Sequence, residues 1–106
     1  MSIYSERARA IHDLTFTLRR RMEIATAMSV ADKMQMIDTG VEVVNKLLYC
    51  FQLDQELFER VDQDLNVRYR ELRPDPDSID RLFFLLLGIT RRVENQAERW
   101  VERYAN

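Results

Sequence analysis

The apolar residues Val30, Met34, Ile37, Val41, Val44, Leu48 and Phe51 follow one another at intervals of four and three without a miss. That alternation keeps one side of an α-helix apolar along its whole length, and in water such a side must pack against other helices. Similar stripes precede and follow it, and no run alternates with the period of two that a half-buried strand needs. The fold class expected is therefore all-α, an antiparallel, coiled-coil-like bundle of three to four long helices.

The boundaries follow from caps and breakers. The first helix is expected over about 2–28, with Ile11, Leu14, Leu18, Met22 and Ala25 buried and Tyr4 on the same side. Ser29 followed by Asp32 has the form of a capping pair and starts the second helix, about 30–52. That helix carries a second stripe, Met36, Gly40, Val43, Leu47 and Cys50, so it contacts at least two neighbours and is expected at the centre. Gly40 costs about 1 kcal/mol against Ala inside a helix, which a close approach by a neighbouring backbone would explain. The third helix, about 54–73, starts at Asp54 and turns Leu57, Val61, Leu65 and Leu72 inward. No Gly or Pro separates it from the second, so the two are either a hairpin or one rod. Pro74-Asp75-Pro76-Asp77 stops the third helix. Asp77 or Ser78 then caps the fourth, about 77–104, whose first turn holds Asp80 and whose inner face is Ile79, Leu82, Leu86, Ile89, Val93, Ala97, Trp100 and Tyr104.

Composition limits the class of function. The 106 residues make one domain, 1–106, with 46% hydrophobic and 32% charged residues, a balance that suits a packed core and not a disordered chain. The longest apolar block, Leu82 to Ile89, falls far short of the roughly 20 residues a membrane span needs. Charges near the start, where a signal peptide needs its apolar stretch, lead to an expectation of a cytoplasmic protein. Cys50, the single cysteine, is expected to be a small buried hydrophobe. No metal, cofactor or small-molecule substrate is implied. The only histidine, His12, has no Glu three residues before it, and Gly40 and Gly88 both lie inside helices and make no phosphate loop.

What remains are surfaces. His12, Phe16, Arg20 and Glu23 lie opposite the apolar stripe of the first helix, where Phe16 would anchor a partner and Arg20 orient it. Arg92, Arg99 and Arg103 line one flank of the last helix and Glu94, Glu98 and Glu102 the other, the arrangement of charges beside a helix–helix seam. Arg68 falls on the inward stripe between Leu65 and Leu72. It would snorkel to water, pair inside, or anchor a partner's carboxylate. Phe84 and Leu87 are expected to project away from the core, and a second copy or another protein would cover them.

The function expected is a non-enzymatic protein–protein interaction module (an adaptor, a regulator or inhibitor, or a small helical chaperone) that self-associates as a homodimer. Its contact residues would be Phe84, Leu87, Phe16, Arg20, Arg92 and Arg99. The alternative is a nucleic-acid-associated accessory protein using Arg19-Arg20-Arg21 and Arg91-Arg92, although a net charge of −2 offers little to a polyanion. A helical enzyme without a recognisable motif comes third.

Overall fold

The computed structural model describes residues 3–51 and 55–105, with only the backbone described at Cys50 and Phe51. The elements are α1 (Ile3–Ile24), α2 (Val30–Phe51), α3 (Gln55–Val61), a π-helical turn (Asp62–Asn66), α4 (Val67–Leu72) and α5 (Ile79–Arg103). No strand occurs among the described residues.

The boundaries between α1 and α2 and between α4 and α5 have local causes. After α1, a 3-10 turn (Ala25–Ala27) leads to Met28, whose extended backbone ends the helix. Ser29 Oγ accepts from the Asp32 backbone N–H at 3.2 Å and donates to the Asp32 carboxylate at 3.0 Å. Past α4, Pro74 and Pro76 supply no backbone N–H. Ser78 stands at the N-cap position of α5 but its side chain makes no capping bond; the capping side chain is that of Asp75, whose carboxylate accepts from the Asp77 N–H at 3.1 Å and from Ser78 Oγ at 2.7 Å. Asp75 takes the role because Pro76 opens the intervening 3-10 turn (Pro76–Ser78), so the chain is already helical when it reaches Ser78. Residues 52–54, with the proposed start at Asp54, lie outside the described residues, as does the Cys50 side chain.

Contacts along the helices give their directions. Tyr4 stacks on Tyr104, while Arg19 reaches Glu94, so α1 and α5 run antiparallel. Lys33 meets Asp80, and Gly40 lies against Leu86, so α2 and α5 run parallel. Tyr49 packs on Phe58, Asn45 on Asn66, and Asp38 on Arg73, so the chain doubles back after α2 and is not one long rod. The result is an up-down-up-down bundle in which the two parallel helices, α2 and α5, touch across the short diagonal. The contact is close because Gly40 has no side chain: a Cβ there would lie 2.8 Å from Leu86 Cδ2 and 3.5 Å from Leu18 Cδ1. This flattens the molecule to 47 × 26 × 16 Å.

The central helix is α5, not α2. It packs most extensively on α1 and next on α2, because its apolar run covers more of its circumference than a single stripe. Besides the inner face read from the sequence, Phe83, Leu87, Thr90 and Glu94 are buried. Their spacing of four, three and four makes a second stripe, and the Arg19–Glu94 pair identifies it as the one that carries α1. The buried face of α1 differs in the same sense. It runs through Ser5, Ala8, Ile11, Thr15, Leu18 and Met22, whereas Leu14 and Tyr4 are exposed. Small residues at 8, 15, 90 and 97 let α1 and α5 approach closely. The Thr15 and Thr90 hydroxyls donate to the carbonyls of Ile11 and Leu86 at 2.7 and 2.8 Å and so leave no unmet donor. On α2, Ile37, Val41, Val44 and Leu48 are buried as expected, and Val30 at the helix start is exposed.

The π-helical turn corrects the reading of Arg68. A period of 3.6 carries the stripe Leu57, Val61, Leu65 on to Arg68 and Leu72. Hydrogen bonds to the fifth residue widen the turn at Asp62–Asn66, so the stripe continues instead to Tyr69 and Arg73. Arg68 is exposed and Leu72 only partly buried.

Candidate interaction site

The sequence marked six contact residues, and the structure separates them. Leu87 is 4% exposed and belongs to the core, whereas Phe84 is 56% exposed. The two were expected to project together. They part because residues three apart on a helix differ by about 60°, and the α1 contact covers one and stops short of the other. Phe84 keeps one intramolecular ring contact, edge-on to the buried Phe83 with centroids 5.8 Å apart. One turn further on, no described atom lies within 4 Å of where a Cβ of Gly88 would stand. Gly40 and Gly88 therefore differ in kind: the first is explained by Leu86, and the second by nothing among the described residues.

Phe16 is 44% exposed and stacks on His12 with centroids 6.4 Å apart. Its cationic neighbour is Arg19, whose guanidinium lies 5.1 Å from the ring centroid, and not Arg20, which is exposed. Glu23, expected beside Phe16 and Arg20, turns instead toward α5. It accepts from Arg19 at 3.1 Å and from Arg91 at 2.9 Å, and Arg19 also clasps Glu94 through two hydrogen bonds. Arg91 first and Arg19 second hold the Glu23 carboxyl below the usual carboxylate range, and Glu94 first among its partners raises the Arg19 guanidinium further above neutrality. Arg19 and Arg91, each the first residue of its basic cluster, are thus neutralised where α1 meets α5.

Arg92 points to the opposite flank of α5, toward the π-helical turn and α4, and Arg99 follows it seven residues later on the same flank. Arg92 Nη1 lies 3.3 Å from Asp64, a residue of the π-helical turn, and Arg99 is exposed. Here the structure assembles a group that the sequence did not join. A groove of about 520 Å³ lies between the turn, α4 and α5, with Arg68, Arg81 and Arg92 at its rim and Leu72, Leu85 and Ile89 at its base. Arg81 and Leu85 lie on the same side of α5 as Arg92. That spacing was visible in the sequence. The position of Arg68 opposite them was not, since it depends on the π-helical turn.

A second groove, about 280 Å³, runs between α1 and α2 along Leu18, Met28, Met36 and Thr39, with Arg21 and Asp32 at its edge. Among the described residues, no three or more His, Cys, Asp or Glu side chains converge in a way that would hold a metal ion, and no helix is long and apolar enough to cross a membrane.

The chain matches no protein-family model, no curated protein and no solved structure, so its reading rests on this geometry.

Proposed function

We propose that the protein is a non-enzymatic protein-interaction module that presents the outer face of α5 to its partners, a second copy of itself among them. The observation that carries this reading is the pair Phe84 and Gly88. A large aromatic and a bare helix backbone stand one turn apart on the central helix, and neither is used by the chain's own core. Covering the Phe84 ring is worth about 1.5–3 kcal/mol, and a glycine at its side lets another backbone come close. Arg81, three residues before Phe84, and Arg92, four after Gly88, give the same face a charged border, the usual anatomy of a binding patch with an apolar centre.

The reading is tested by sedimentation of the wild-type protein and of Phe84→Ser across micromolar concentrations. The variant keeps its helical spectrum, because Phe84 is outside the core, and loses associated mass. Wild-type protein that stays monomeric throughout removes self-association. Phe84→Ser that stays folded and as fully associated as wild type removes this face as the contact surface.

A further inference from the structure

We infer that the groove between α4 and α5 binds an acidic, partly apolar protein segment, whose carboxylates pair with Arg68 and Arg81 while its apolar side chains rest on Leu72 and Leu85. This rests on the reading of the chain as a protein-interaction module and adds the chemistry of the partner.

The argument starts from the distribution of charge. The chain holds 18 acidic against 16 basic residues, so carboxylates are in sufficient supply to pair its arginines. They do so at the helix seams: Arg19 meets Glu23 and Glu94, Arg73 meets Asp38, and Arg91 meets Glu23. In the groove the pattern stops. Among the described residues Asp64 is the one carboxylate there and it faces Arg92, while Arg68 and Arg81 make no ion pair. Two guanidiniums on different helices therefore face a shared concave space with their donors unmet by any described residue. Each can take a carboxylate through two parallel N–H donors.

The base of the groove decides the class of ligand. Leu72 and Leu85 are partly buried apolar side chains, and among the described residues no aromatic lines the groove. A single-stranded nucleic acid would need ring faces for its bases to stack on, and a phosphate backbone would gain nothing from leucine. A peptide that alternates Glu or Asp with Leu or similar residues satisfies both the rim and the base. The volume, about 520 Å³, lies within the range of pockets that bury several side chains or a small ligand.

The test uses the full chain and three fluorescent probes read by anisotropy. One is a twelve-residue peptide of Glu and Leu in helical spacing, the second its Glu→Gln counterpart, and the third a single-stranded oligodeoxynucleotide of equal charge. The Glu–Leu peptide is expected to bind at least tenfold more tightly than either of the others. Arg68→Gln with Arg81→Gln is expected to weaken it at least tenfold while leaving the helical spectrum unchanged, since both side chains are solvent-accessible. Arg9→Gln with Arg70→Gln removes the same charge elsewhere and is expected to leave binding unaltered. Equal binding of the Gln peptide, equal loss in both double variants, or stronger binding of the oligonucleotide each overturns the proposal. If Arg68→Gln with Arg81→Gln alters the spectrum, Leu85→Gln is read in its place, and undiminished peptide binding there also overturns it. Phe84-dependent association measured on the same samples separates the two readings: its persistence without peptide binding removes the groove proposal alone.

Discussion

Asp38 of α2 receives Nε and Nη2 of Arg73 at 2.7 and 2.8 Å, and the Tyr69 hydroxyl donates to the same carboxylate at 2.6 Å. One acidic residue thus joins α2 to α4 and to the segment leading into α5. Arg73 above all, then Tyr69, holds the Asp38 carboxyl below its ordinary value, and Asp38 in turn raises the Tyr69 phenol.

These shifts give stability a dependence on pH with a defined sign. The Asp38 value is lower in the folded protein, so its contribution is present above the unfolded carboxylate pKa, about 3.9, and is lost as pH falls through the lower folded value. The Tyr69 value is higher in the folded protein. Its contribution is present below the unfolded pKa, about 10, and is lost as pH rises through the folded value. Asp38→Asn is expected to lower Tm at pH 7, with the difference from wild type closing below pH of about 4. Tyr69→Phe is expected to flatten the alkaline limb above pH of about 10. Thermal melts monitored by circular dichroism across pH check both, and parallel curves for wild type and variant would show that the network does not carry the dependence.

The two glycines are expected to respond to alanine with opposite signs. At Gly88 the new methyl meets open space, so the helix gains propensity and stability rises by about 0.5–1 kcal/mol. At Gly40 it would meet Leu86, which is fully buried and has little room to turn. Overpacking of this kind costs about 1–3 kcal/mol, enough to outweigh the same gain. Urea denaturation of Gly40→Ala and Gly88→Ala decides the matter: equal shifts in the same direction would contradict the diagonal contact between α2 and α5. If Gly88→Ala is at once more stable and less associated, the glycine serves the interface.

Val41 is buried in the most regular stripe of the chain. Val41→Asp places an unpaired charge there, and a loss of about 3 kcal/mol or more is expected, enough to leave much of the protein unfolded at 37 °C. A variant with wild-type thermal stability would mean that this face of α2 is dispensable.

Spin labels at Met36 and Val67 report on the hairpin between α2 and the α3–α4 arm. In one continuous helix these positions would lie about 46 Å apart at 1.5 Å per residue. With the pairing of Asn45 on Asn66 and Asp38 on Arg73 they are expected within about 20 Å, since adjacent helix axes lie about 8–10 Å apart. Dilution with unlabelled protein removes distances between copies.

The helix pattern and the Ser29 cap were legible in the sequence because each is a local rule with one outcome, whereas Gly40 was read as a site of close backbone approach and is in fact filled by the Leu86 and Leu18 side chains. The central position of α5 was harder to read. Residues 82–89 are apolar on nearly every side, so periodicity could not say which sides a neighbour would cover. Leu87 looked unpartnered for that reason, and Phe84, three residues away, in fact is exposed. Thr15 and Glu94 were missed as interior residues because hydrophobicity alone ranks them outside. Small size at one and an ion pair at the other take them in. The arginine groove escaped because its members, Arg68 on one arm and Arg81 and Arg92 on another, come together only through tertiary packing.

The five residues Asp62–Asn66 act as a phase shifter in the helical rod. Leu57, Val61, Leu65, Tyr69 and Arg73 advance by fours, and a regular α-helix would let such a series drift by about 40° at each step. The wide turn absorbs that drift, so Tyr69 and Arg73 arrive facing Asp38 while Arg68 arrives facing α5. Removing one residue from it, such as Gln63, would leave a regular α-helix in which Leu65, Tyr69 and Arg73 follow Val61 at intervals of three, four and four and so stay on the stripe. Adding one would rotate everything after it by about 100°. The anchor on α2 and the charged rim toward α5 would then be lost together, although no side chain of either had been altered. A residue gained in this segment is therefore a change of timing, and it acts on two surfaces at once.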